Sequence, residues 1–226
     1  MAAQEETMFS FENKFATIDL INGNYILRLA DDSDENNILL ASLYESEIPF
    51  KKMEGESEHI YTINVEHIQS LKQMIMSKLG VLGYNDVLNM VIHIGKQCTS
   101  FVKNGYAIPY INMNNIVVLN SNTFLLIDAD ILRINSDESI NIDVPYDKTH
   151  MLGYELNKVI TIPAQIHNSN WVYSIALIAI HCLTGLDTSK ITNYDDSIES
   201  IQDTKLYFML LRCLNKYPKE RRFLYI

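Results

Sequence analysis

Residues 114–132 read NNIVVLNSNTFLLIDADIL: two Asn, an aliphatic run, a polar turn, a second aliphatic run, and then the acids Asp128 and Asp130. Short runs of Ile, Val and Leu bounded by turn residues predict a hairpin of two strands buried on both faces. Such a hairpin needs covering layers on either side, and it sets its acids at one edge.

The flanking sequence supplies the layers. EHIQSLKQMIMSKLG, residues 66–80, predicts a helix that Gly80 closes. YNDVLNMVIHIGKQCTSFVKNG, residues 84–105, predicts a second, with Asn85 as N-cap and Gly105 as stop. In it Val87, Leu88, Val91, Ile94, Cys98, Phe101 and Val102 recur at helical spacing, so one face is deeply buried. Beyond the hairpin a polar segment, 135–150, reads as a solvated loop, and helical patterns follow at 171–183, 197–202 and 204–215. Before residue 66 the pattern is one of short strands. KFATIDLI and NYILRLA flank Asn22-Gly23, a hairpin turn, and NILLASLY and HIYTINV read as further strands of an antiparallel sheet. Residues 45–58 support no amphipathic helix. The expected fold class is α+β, with a reduced β-rich lobe over 1–65 and a mainly helical lobe over 66–226 that carries the hairpin.

Composition narrows the functional classes. Of 226 residues 47% are apolar and 20% charged, the balance of a packed globular chain. The formal charge of −10 argues against a broad basic face for nucleic acid or an anionic membrane. The basic cluster KYPKERR, 216–222, reads as a solvated helix end or a structural salt-bridge donor. Cys98, Cys182 and Cys213 stand singly in apolar stretches, without CxxC spacing, and the histidines show no HExxH pattern. With no signal-peptide pattern in MAAQEETMF, an intracellular, cytoplasmic chain with reduced thiols is expected. The longest apolar run, WVYSIALIAIHCL, has 13 residues, too few to span a bilayer, and predicts a buried helix.

The order of these segments resembles the protein kinase fold and its wider kinase-like superfamily over most of 66–224, and vaguely over the first 65 residues. In that family a long helix leads to a catalytic loop, an Asn, and a hairpin ending in Asp-Phe-Gly. Here YNDVLNMVIHIGKQCTSFVKN leads to YAIPYINMNNIVVL and FLLIDAD, with Asn115 and Asp128 at the family's common separation of 13. The resemblance implies that Asn115 and Asp128 converge on Mg²⁺ bound to ATP, with Asp130 as a further weak candidate ligand. GYEL is similar to the Ala-Pro-Glu region, WVYSIALIAIHCLTG to the central helix, and RCLNKYPKERRFL to the closing segment whose Arg pairs with that Glu. This implies a Glu155–Arg221 pair.

The departures point the other way. Ile108-Pro109-Tyr110 stands where the family has His-Arg-Asp, and Asn112 where it has Lys. Tyr110, at the position of the catalytic Asp, is no general base at neutral pH, since its ordinary pKa is near 10. Asp128-Ala129-Asp130 replaces Asp-Phe-Gly. Trp171 falls where an Asp braces the catalytic loop. Gly23 is the single Gly among the first 50 residues, so there is no glycine-rich phosphate loop, and no regulatory helix with a Glu is legible. NILLASLY carries no Lys. Arg28 is the candidate phosphate-facing cation, against an outward-facing strand Arg as the alternative.

The expected function is that of a pseudokinase: a kinase-like scaffold that binds another protein and holds ATP and Mg²⁺ weakly or not at all. The alternatives are an active, divergent ATP-dependent phosphotransferase, and an assembly protein that binds no nucleotide. Heavy Asn and Ile usage in a shortened chain is similar to that of homologues from large DNA viruses and AT-rich parasites.

Overall fold

The computed structural model describes residues 9–46, 48, 50–53, 59–146 and 153–223. It is a mixed α+β protein, with six α-helices and four small antiparallel sheets among the described residues. Strands β1 (Ser10–Glu12), β2 (Ala16–Ile21), β3 (Asn24–Leu29), β4 (Phe50–Lys52) and β5 (Ile60–Ile63) form a five-stranded sheet in the order β1-β2-β3-β5-β4. The β2–β3 hairpin closes through Asn22 and Gly23, both at positive φ (50° and 77°), the geometry that matches the twist of paired strands. One face of this hairpin buries Ala16, Ile18, Tyr25, Leu27 and Leu29. Thr17, Asp19 and Arg28 lie on the other.

NILLASLY is not a strand. It lies within helix α1 (Asp34–Glu45), between β3 and β4. Ser33 caps it by accepting a hydrogen bond from the Asn36 amide, and Asp34 and Glu35 complement the dipole in the first turn. Its buried residues, Asn36, Leu39, Ser42 and Leu43, follow helical spacing. The starting signal lay in SDEN, upstream of the apolar run.

The expected helix over 66–80 divides into strand β6 (Ile68–Ser70) and a shorter helix, α2 (Leu71–Ser77). Ser70 and Gln73 cap each other reciprocally, which fixes the switch from strand to helix. Helix α3 (Tyr84–Lys103) begins earlier than the Asn85 cap anticipated, at Gly83, whose amide donates to the Asp86 carboxylate.

The predicted hairpin is present as β8 (Ile116–Leu119) and β9 (Thr123–Leu126), after the two-residue strand β7 (Tyr106–Ala107). Val117 faces Leu125 and Val118 faces Phe124 across it, and the three-stranded sheet runs β6-β8-β9. The outer edge of β9 is closed by α3. The Gln97 side chain accepts from the Leu126 amide at 2.8 Å and donates to the Leu126 carbonyl at 3.2 Å, and His93 Nδ1 accepts from the Phe124 amide. Both faces of the hairpin are therefore packed and its edge is satisfied, as a buried edge strand requires.

After it, β10 (Leu132–Arg133) pairs with β7, and β11 (Ser139–Ile142) pairs with β12 (Ala164–His167). Residues 139–142 of the expected loop over 135–150 are thus sheet, with Ile140 and Ile142 buried; residues 147–150 lie outside the described residues. Helix α4 (Asn170–Thr184) is buried on nearly every side, which agrees with its uniformly apolar sequence. The expected helix over 197–202 is instead α5 (Tyr194–Ser197) followed by a 3₁₀ turn, and α6 (Lys205–Cys213) follows a Thr204 cap.

One continuous apolar core runs from Leu27, Leu39 and Leu43 through Met90 and Phe124 to Ile178 and Leu210. A smaller cluster gathers Ala107, Ile140, Ile142, Leu156 and Ile166. Cys98, Cys182 and Cys213 are free and buried in the larger one. Among the described residues no helix is long and apolar enough to cross a membrane.

Gly95 of α3 lies under the Phe223 ring, where a Cβ would stand 2.0 Å from a ring carbon. A Gly95→Ala variant should lose about 1–3 kcal/mol through displacement of the ring, more than the ~1 kcal/mol that alanine contributes to helix propensity. Chemical denaturation checks the sign.

Candidate functional site

The two ends of the hairpin are drawn together by the backbone. Asn115 closes a 3₁₀ turn (Met113–Asn115) in which the Asn112 side chain accepts from the Asn114 amide, and the Asn115 carbonyl accepts from the Ile127 amide at 2.8 Å. This places Asn115 beside Asp128. Asn115 Nδ2 donates to Asp128 Oδ2 at 2.6 Å, and the Asp130 amide donates to Asp128 Oδ1 at 2.9 Å. Both carboxylate oxygens are therefore engaged.

Asp128 is only 4% exposed. Burial pushes its pKa up to about 6, against the opposing pull of the Asp130 amide and the Asn115 side chain; the Asp130 charge adds to the rise and Lys14 reduces it. Cys98 of α3 lies close behind. Its thiol is pushed well above the ordinary value by burial first and by the Asp128 charge second.

Asp130 faces outward and meets Lys14, with Nζ to Oδ1 at 3.3 Å. The turn between β1 and β2 carries that Lys onto the hairpin. Its neighbour Asn13 donates from Nδ2 to the Ile127 carbonyl at 2.7 Å, while Asn13 Oδ1 accepts from the amides of Phe15 and Ala16. On another side Tyr110 stands edge-on to Tyr146, ring centroids 5.2 Å apart. The Tyr146 hydroxyl is pushed up by burial, then by Asp130, Tyr110 and Asp128.

Arg28 lies with Thr17 and Asp19 on the face of the first sheet opposite Ile18 and Leu27 and pairs with Asp19 at 2.8 Å, the geometry of an outward-facing strand Arg. The helix α1 that the sequence concealed places no acid on its buried face. Glu155 and Arg221 do meet, Oε2 to Nη1 at 2.8 Å, with the Arg221 side chain fully buried, its Nε donating to the Asn215 carbonyl and its guanidinium over the Tyr173 ring.

The segment containing Tyr110 is braced after all. Trp171 packs against Phe223, but its neighbour Asn170 donates to the Pro109 carbonyl at 2.6 Å, and Ser174 Oγ accepts from the Ile111 amide at 3.0 Å. Asn13, Lys14, Asn170 and Ser174 were missed in the sequence. Only the position of the last two, one residue before and three after Trp171 in the buried helix, offered a signal.

A Mg²⁺-bound ATP does not fit these residues as they stand. Magnesium requires a near-octahedral shell of oxygens. The candidate ligands instead face each other, with the Asn115 amide nitrogen on one Asp128 oxygen and a backbone amide on the other. Among the described residues no group of three or more His, Cys, Asp or Glu is arranged to hold a metal. The arrangement is a closed hydrogen-bonded clasp.

No protein-family model matches the chain, and no curated protein matches it.

Proposed function

We propose that the chain is a degenerate, two-lobed kinase-like scaffold, a pseudokinase that acts by binding another protein and not by transferring phosphate. The likeness is supported by element order: an antiparallel sheet with one helix, a long helix, a buried hairpin, a buried central helix and a closing Arg paired with a Glu. On this reading the lobes divide near residue 65. The observation that carries inactivity is the clasp itself. In the family the hairpin Asn and Asp open toward metal, whereas here Asn115 and Asp128 are bonded to each other and buried.

The missing parts act in the same direction. Loss of a general base alone costs roughly 10²–10⁴ in rate. Phosphoryl transfer rests mainly on positioning and charge neutralisation; the first sheet offers no glycine-rich loop, and the cation its β1–β2 turn brings to the acid edge, Lys14, is already paired with Asp130.

A radiolabelled transfer assay with ATP, Mg²⁺ and generic protein and small-molecule acceptors tests this. Wild type and Asp128→Asn should show the same background. Turnover that Asp128→Asn abolishes would overturn the proposal in favour of a divergent phosphotransferase.

A further inference from the structure

We infer that the β1–β2 turn is a built-in plug of the Asp128 cleft: Asn13 and Lys14 occupy the edge where a metal-bound nucleotide would need to lie, so the closed form needs no ligand. The inference rests on the kinase-like reading for the identity of the excluded group. The contacts themselves stand without it.

Three observations converge. First, Asn13 bonds directly to the Ile127 carbonyl, the residue before Asp128, across 114 positions of sequence. A triphosphate and its metal would have to lie between this turn and the carboxylate, and a direct 2.7 Å bond leaves no layer for them. Second, Lys14 places an ammonium on Asp130, a cation supplied in cis at the acid edge. Third, the turn is held rigid in this position. Asn13 Oδ1 accepts from two successive amides, the Phe15 carbonyl accepts from the Ala30 amide, and the Phe15 side chain packs on the main core. One side chain thus shapes the turn with its oxygen and docks it with its nitrogen.

This division of labour gives a clean test. Asn13→Asp keeps the oxygen that shapes the turn and replaces the docking donor with an acceptor that faces the Ile127 carbonyl. Hydrogen exchange on the whole chain should show at least tenfold faster exchange of the Asp130 amide in Asn13→Asp. The amides of Val117 and Leu125, inside the hairpin, should keep wild-type protection. Unchanged exchange at Asp130 would overturn the plug.

Asn13→Ala removes both functions and is the second variant. It should accelerate exchange at Phe15, Ala16 and Asp130 together, and acceleration confined to Phe15 and Ala16 would equally overturn the inference. Titration with Mg²⁺ and ATP, read by exchange at Asp130, completes it. Affinity should rise at least tenfold in Asn13→Asp over wild type, and wild-type affinity equal to the variant's would show that the turn excludes nothing. Because these readouts are structural, their failure is distinguishable from turnover in the transfer assay.

Discussion

Replacement of Arg221 by alanine should lower the stability of the chain by about 3–5 kcal/mol and its melting temperature by on the order of 10 °C. The Arg221 side chain is fully buried and that of Glu155 is 17% exposed, so removal of the guanidinium leaves a mostly buried carboxylate without its partner. The same change deprives the Asn215 carbonyl of its Nε donor and Tyr173 of the cation over its ring. Arg221→Lys should recover part of the charge but not the fork that serves Glu155 and Asn215 together. Glu155 Oε1 and Arg221 Nη2 have no hydrogen-bond partner among the described residues, so the pair is incompletely satisfied. A double Glu155→Leu/Arg221→Met replacement should therefore cost much less than Arg221→Ala alone. Denaturant melts of the three variants measure this, and equal losses in single and double variants would contradict it.

The second large effect is a pH dependence centred on Asp128. Its folded pKa of about 6 lies above the ordinary 3.8, so the folded state holds a proton that the unfolded chain has already released. The contribution of this group to stability is fully present below about pH 3.8 and is lost as pH rises through 6. The gap corresponds to about 3 kcal/mol. Wild type should gain most of that relative to Asp128→Asn between pH 7 and pH 4, with Lys14 and Asp130 as the charged neighbours that tune it. Asp31, Asp137 and Asp187 are held below the ordinary range by hydrogen bonds from Ser33, Ser139 and Ser189, and act in the opposite sense at low pH. Subtraction of the variant's curve removes them. A flat difference between the two curves would show that Asp128 is ionised and well solvated in the fold.

Much of this architecture was legible in the sequence because strong local patterns agreed with tertiary structure. The hairpin of 116–126, the helical stripe from Val87 to Phe101, the Asn22-Gly23 turn and the uniformly apolar α4 each announce themselves within a few residues. The failures came where a cap outweighed composition. NILLASLY has β-like content, yet Ser33 and the acids after it start a helix; EHIQSLKQ looks helical, yet Ser70 delays the helix until β6 has paired with β8. At the site, the resemblance to kinase motifs pointed to Asn115 with Asp128 and to Glu155 with Arg221, and both pairs are in contact. It could not show that the first pair is closed. Nor could it show the flanking contacts of Asn13 with the Ile127 carbonyl and of Lys14 with Asp130, which follow from how the first sheet lies against the hairpin and which no local pattern encodes.

The span between Asn13 and Ile127 also bears on synthesis. The first sheet is complete once Ile63 has emerged, but the carbonyl that receives its β1–β2 turn lies 114 residues after Asn13. At roughly 5–20 residues per second, the ribosome delivers it several seconds later. Early in that interval, until Lys103 completes α3, the sheet residues Ile18, Leu27 and Leu29 lack the α3 and hairpin residues that share their core. Docking of the β1–β2 turn is therefore a late event of synthesis, possible only once β9 and Ile127 have left the exit tunnel.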